Sequence, residues 1–286
     1  MTRAMGFHAP VTLDEATALL AADADARCLA GGATLVAMMN AGLVEPSTLV
    51  SLRHIDALRG IEPVGDGFRI GAMTTHRETA SDARLDGGHA AVREAAAVIA
   101  NPAVRNMGTM GGSIAFADPA ADYPPALVAI EAEIEIAGAD GRRRVTAADF
   151  FTDWYETALA PGEIVAAIHL PAMPAGARGT YHKLARVAGD FATASVAVVL
   201  AMAGDSCCHL RIAIGGCGPT PVRLAEVETR LIGGELDAPA VREAGEMLAR
   251  AADPVDDARA SADYRRLVIP RLLARAIERA RAGGAS

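Results

Sequence analysis

No apolar run in this sequence reaches the ~18 residues that a membrane-spanning helix needs. The longest, TASVAVVLAMAG over residues 193–204, suits a buried strand. Positive charge is not in excess: 27 Lys and Arg against 35 Asp and Glu leave a net charge of −8. That argues against a footprint for a nucleic-acid backbone. The basic run Arg142-Arg143-Arg144 follows GADG and reads as one side of a hairpin. Cysteine is scarce. Cys28, Cys207, Cys208 and Cys217 form no C-x-x-C and no Cys/His grouping with zinc spacing. Four clustered cysteines for an iron–sulfur centre are missing too, so metal-based electron transfer would need another chain. Neither G-x-x-x-x-G-K-[ST] nor G-x-G-x-x-G occurs, which removes the P-loop and the Rossmann fingerprint. His54, His76 and His182 sit in no catalytic motif and read as structural or surface residues. The opening MTRAMGFHAPVTLDEA lacks an apolar secretory core, so no signal peptide is expected and the cytoplasm is the expected location.

What is present is a globular chain of 286 residues, half of them apolar, long enough for two or three domains. TLDEATALLAA reads as a helix with a Thr12/Glu15 capping box and a face of Leu13, Ala16, Leu19 and Leu20. RCLAGG, ATLVAMMNAGL and STLVSL follow as strand, helix and strand, a βαβ unit with a glycine pair at its first turn. From 56 to about 172 the expected elements are strand GFRIGAM, helix AVREAAAVIA, helix DYPPALVAI, hairpin AEIEIAG/RRRVT and strand EIVAAIHLP. PAMPAGARGT (171–180) reads as a boundary. Beyond it, YHKLARVAGDFATASVAVVLAMAG and CHLRIAIGGCGPTPVR read as strands paired around a turn near GDSC. Two helices end the chain, the last kinked at Pro270 or starting near Ile269. Strands followed by helices predict a separate α+β domain.

Two glycine-rich turns carry the chemistry. In AGGATL (30–35), Gly31 and Gly32 would allow a sharp turn and close approach of a ligand to backbone amides. On this motif alone a phosphate cradle and a tight turn that binds nothing both remain open. GTMGGS (108–113) is the second such turn, and two amide-rich turns suit a ligand with two phosphates. Thr34, Thr109 and Ser113 would add hydroxyl donors. Two aspartates follow. Asp118, before Pro119, fits a helix N-cap. Asp122 fits equally a contact to ligand hydroxyls and a solvated helix face.

LAGGATLVAMMNAGL, then PSTLVSLRHIDALRGI, then VRNMGTMGGSIAFADPAADYPPALVAI together resemble the FAD-binding medium subunit of molybdenum hydroxylases. This is the family of the carbon monoxide dehydrogenase medium subunit and the xanthine dehydrogenase FAD segment. RVAGDFATASVAV (186–198) resembles the entry to that family's C-terminal domain. The resemblance implies an α+β fold: a two-subdomain FAD-binding domain of the vanillyl-alcohol-oxidase/PCMH type over 1–55 and 56–174, then a C-terminal three-stranded sheet with helices over 178–286. It implies a pyrophosphate loop at Ala30, Gly31, Gly32, Ala33, Thr34 and Leu35, and a second loop at Gly108, Thr109, Gly111, Gly112 and Ser113. Asp122 would meet FAD hydroxyls, Phe191 the flavin ring and Lys183 the cofactor. Ala33 and Ser113 depart from the polar residue and the Asn common at those positions in the family. The implied activity is that of an oxidoreductase subunit carrying FAD. It would take electrons from a small [2Fe–2S] subunit, beside a large molybdopterin subunit, in a dimer of heterotrimers. A free-standing FAD oxidase and a FAD-free assembly module are the alternatives.

Overall fold

The structure, a computed structural model, describes residues 5–282. Its first part is β1 (Gly6–His8), α1 (Leu13–Ala22), β2 (Arg27–Leu29), α2 (Leu35–Asn40) and β3 (Thr48–Ser51). The Thr12 hydroxyl caps α1 by accepting from the Glu15 amide at 3.2 Å. Glu15 in turn accepts from the Val11 amide rather than Thr12's, so the expected box is half made. β2 and β3 pair in parallel across α2, as the βαβ reading requires, and β1 adds in parallel on the far side of β3. β1 has three residues, none of them fully buried, too few to announce themselves by periodicity.

The second part is β4 (Ile61–Val64), β5 (Gly67–Gly71), α3 (His76–Ser81), α4 (Ala90–Ala97), α5 (Pro102–Met107), α6 (Met110–Phe116), α7 (Tyr123–Ala129), β6 (Glu133–Gly138), β7 (Gly141–Thr146), α8 (Ala147–Phe150), β8 (Phe151–Asp153), β9 (Glu156–Thr157) and β10 (Ile164–Leu170). Five of its strands form an antiparallel sheet in the order β4-β5-β10-β6-β7. The RRRVT hairpin is there, and its arginines pair outward with Glu135, Glu163 and Glu133. The glycine segment 108–113 is mostly helical rather than a turn: it joins α5 to α6 and supplies the first residues of α6, while the helix expected in DYPPALVAI is α7. Every residue of α7 is buried. Its two prolines sit in the first turn, where a missing N–H leaves no helix bond unmade.

The third part is β11 (Arg178–Leu184), β12 (Ala194–Ala203), β13 (Ser206–Gly215), α9 (Ala225–Leu231), α10 (Ala238–Ala251) and α11 (Ala262–Ala282). The strands form an antiparallel sheet in chain order. The strand expected to run from Tyr181 to Gly204 is split by a loop at 185–193. Gly189 there has φ +84°, and a Cβ on it would lie 2.4 Å from the Ala100 carbonyl oxygen. One face of the sheet meets α7, and Ala197 and Ala213 join a core that reaches back to Leu13. The other face buries Val196, Val198, Leu200 and Ile212 against Leu248, Ile269 and Leu273 of α10 and α11. α11 runs unbroken through Pro270, so it does not start near Ile269. Gly245 of α10 lets the helices meet there: a Cβ on it would lie 2.5 Å from the Pro270 Cα. Packing on both sides holds the helix through its proline. Among the described residues no helix is long and apolar enough to cross a membrane.

Candidate cofactor-binding site

A cleft of about 650 Å³ opens where the first two parts meet the loop before β12. Its apolar wall includes Leu20, Met73, Ile99 and Leu159. Thirteen of the fourteen residues expected at the site line it: Ala30 to Leu35, Gly108, Thr109, Gly111 to Ser113, Asp122 and Phe191. The exception is Lys183.

At the first glycine turn the chain leaves β2 and swings back through Gly32, at φ +76°. A Cβ on Gly31 would lie 1.9 Å from the Met107 carbonyl oxygen, so only glycine lets the two turns touch. The first helical bonds of α2 come from Val36 to Gly32 O at 3.1 Å and Met38 to Thr34 O at 3.0 Å. The N–H groups of Gly31, Gly32, Ala33 and Thr34 donate to no protein acceptor among the described residues. Orphan amides on a cleft wall call for an acceptor from water or a ligand.

The second turn differs, and the expectation of bare amides there is corrected. Met110 N–H donates to Thr74 O at 2.9 Å and Gly111 N–H to Ala72 O at 2.8 Å. Gly112 N–H donates to the Thr109 hydroxyl at 3.1 Å, and Ser113 N–H to Thr109 O at 3.0 Å. Thr109 is thus the N-cap of α6. Its own N–H is left without a protein acceptor among the described residues. Gly111 is a glycine for packing: its Cβ would fall 2.5 Å from the Ala72 Cβ.

Asp118 does not cap a helix. It accepts from the Ala120 amide at 2.9 Å, an Asx turn, and faces the cleft. Burial raises its pKa. Asp122 is buried, not solvated. It accepts from the Tyr181 hydroxyl at 2.7 Å and from Lys183 Nζ at 3.0 Å. Burial lifts its pKa, against the opposing pull of Lys183 and Tyr181. Lys183, the only lysine in the sequence, stands behind Asp122. Its ammonium also donates to Val98 O at 2.9 Å and Asp190 O at 2.8 Å. Three acceptors match its three protons, so none is left for a ligand.

Sequence reasoning passed over His76 as part of the site. It is a buried cleft residue with Nδ1 3.1 Å from the Tyr123 hydroxyl. Burial, helped by Arg105, lowers its pKa to about 4, so it is neutral at pH 7. The signal was legible: Thr75-x-x-Glu78 forms a full capping box that starts α3 and fixes His76 at its first position. His54 is exposed and His182 half-buried. Cys28, also on the wall, is inert, its thiol pushed by burial up to about 12. Among the described residues no cluster of His, Cys, Asp and Glu could hold a metal.

The donor set fits a dinucleotide pyrophosphate. Four orphan amides sit on one turn, the Thr34 and Ser113 hydroxyls stand by, and a carboxylate acceptor lies deeper in. Comparison with known proteins agrees. Residues 3–173 match the FAD binding domain in molybdopterin dehydrogenase, and 179–280 the CO dehydrogenase flavoprotein C-terminal domain. The carbon monoxide dehydrogenase medium chain of Hydrogenophaga pseudoflava is 38% identical over 96% of each chain. The nicotine 6-hydroxylase medium subunit of Paenarthrobacter nicotinovorans is 34% identical, again over 96% of each. A chain in the crystal structure of the cyanide-inactivated Cu,Mo-CO dehydrogenase superposes with a TM-score of 0.94 at 39% identity, covering 99% of both. One from quinoline 2-oxidoreductase of Pseudomonas putida 86 gives 0.91 at 32%, covering 98% of both. The chain therefore belongs to the FAD-binding medium subunits of the molybdenum hydroxylases, and FAD is its cofactor.

Proposed function

We propose that this chain is the cytoplasmic electron-transfer subunit of a molybdopterin hydroxylase. It receives electrons from a [2Fe–2S] subunit and delivers them to an external acceptor. A large molybdopterin subunit completes the heterotrimer, and two heterotrimers pair. The proposed division keeps 1–55 and 56–174 for FAD and 178–286 for the C-terminal domain. The observation that carries this reading is the single cleft joining orphan amides at Gly31–Thr34 to Asp122 and Phe191.

Bound FAD supplies the exchange between single-electron and two-electron steps. The protein's part is placement. The amides of Gly31, Gly32, Ala33 and Thr34, flanked by Ala30 and Leu35, take the pyrophosphate. The Thr109 N–H and Ser113 hydroxyl add donors, while Gly108, Gly111 and Gly112 keep that wall thin. Asp122 offers its remaining lone pairs to FAD hydroxyls, and Phe191 borders the ring. Lys183 moves from contact to support: it holds Asp122 and the Phe191 loop.

Purification of the native complex tests this. The chain is expected to co-elute with iron–sulfur and molybdopterin subunits, and its flavin to bleach once the iron–sulfur partner is reduced. A colourless chain that FAD cannot reconstitute would overturn the reading. So would a flavoprotein that oxidises substrate alone.

A further inference from the structure

We propose that Arg259 is a positioning residue for the cleft: it clamps the Phe191 ring where that ring borders the flavin site. This rests on the reading of the cleft given above. Phe191 sits at the end of the 185–193 loop and is 44% exposed, so the fold alone leaves its ring weakly held. Its backbone is fixed from below. The Phe191 N–H donates to Asp190 Oδ1 at 2.8 Å, and Lys183 holds the Asp190 carbonyl. The ring has a separate contact. The Arg259 guanidinium carbon lies 5.2 Å from its centroid, within cation–π reach.

Arg259 is itself anchored. Asp257 accepts from the Arg259 amide at 2.8 Å, from the Ala260 amide at 3.1 Å and from Arg259 Nη1 at 3.0 Å. Asp257 also receives Arg265, a buried residue of α11. Arg265 then donates to Thr193 O at 2.6 Å and Gly216 O at 2.8 Å. The contacts close a circuit: Phe191, Arg259, Asp257, Arg265, and back to Thr193, two residues from Phe191. A stacked, planar guanidinium suits this task, and an ammonium replaces it only in part. Arg259 is not on the cleft wall; its ring contact is with Phe191, its charge also acts on Asp118 of the wall, and the Phe191 variants separate the two routes.

The test uses the full chain with Arg259→Gln, Arg259→Lys, Phe191→Leu and the Arg259→Gln/Phe191→Leu double variant. Without flavin, Arg259→Gln is expected to quicken hydrogen exchange across 187–192. With flavin, it should speed FAD release about two- to fivefold, the factor a surface cation–π contact implies, and change the visible circular dichroism. Arg259→Lys should fall between. Phe191→Leu, which removes the ring as well as its clamp, should do at least as much as Arg259→Gln, and adding Arg259→Gln to it should change nothing further. The proposal is overturned if Arg259→Gln changes none of these, if it lowers only the melting temperature, or if the two single effects add. A wild-type chain that holds no FAD would defeat the reading of the cleft, while the exchange arm would still judge the clamp.

Discussion

The two glycine-rich segments meet at Gly31 and Met107, yet they use glycine for opposite ends. In 30–35 the glycines turn the chain so that four residues of the cleft wall keep amides with no protein acceptor among the described residues. In 108–113 the amides of residues 110 to 113 are already bonded, and Gly111 lets α6 press against Ala72. Similar composition thus gives a binding surface in one case and a packing joint in the other. The difference lies in what comes before. The first segment follows an extended strand and leaves its amides free. The second follows a helix, and a threonine caps the next one.

The comparison can be broken in several places. The largest expected effect is at the acidic flank of the second segment. Lys183→Met leaves Asp122 buried without its cation and should cost about 3–5 kcal/mol in denaturant unfolding. Pairing it with Asp122→Leu should recover part of that loss. A variant that lost flavin at unchanged stability would return Lys183 to a cofactor contact. Next is Gly31→Val, which drives a branched side chain into the Met107 carbonyl. Overpacking of about 1–3 kcal/mol is expected, with complete loss of flavin from the purified chain.

The pH dependence separates the walls further. His76 has its pKa lowered to about 4 from 6.5, so between those values the unfolded chain binds the extra proton. Stability must then fall as pH drops from 6.5 toward 4, by up to about 3 kcal/mol. The raised carboxyls of Asp118 and Asp122 work in the opposite sense, so the slope is read as the difference between wild type and His76→Gln. An equal slope in both would remove His76 from the account. The smallest effect is Thr109→Ala, about 1 kcal/mol for a lost N-cap, which Thr109→Ser should restore.

Much of this was legible in the sequence. The βαβ unit shows because period and glycine pair agree there, and the hairpin shows because AEIEIAG alternates. What escaped depended on partners distant in the chain. Nothing near Gly111 says that its amide meets Ala72, and nothing near Lys183 says that Val98 and Asp190 complete its shell. Asp118 looked like a cap because Asx turns and N-caps share one local bonding habit. The break at 185–193 carries a Gly189-Asp190 pair, but what packs against that glycine, the Ala100 carbonyl, lies far upstream.

The central claim is that the cofactor's phosphates are taken by the first segment's four amides, while the bonded amides of residues 111–113 in the second segment take no part. Residue-resolved hydrogen exchange on the chain with and without FAD tests it most directly. Gly31, Gly32, Ala33 and Thr34 should exchange fast in the free chain and become protected on binding, while Gly111, Gly112 and Ser113 stay slow in both. Unprotected amides at 31–34 in the FAD complex, with new protection at 111–113, would contradict it.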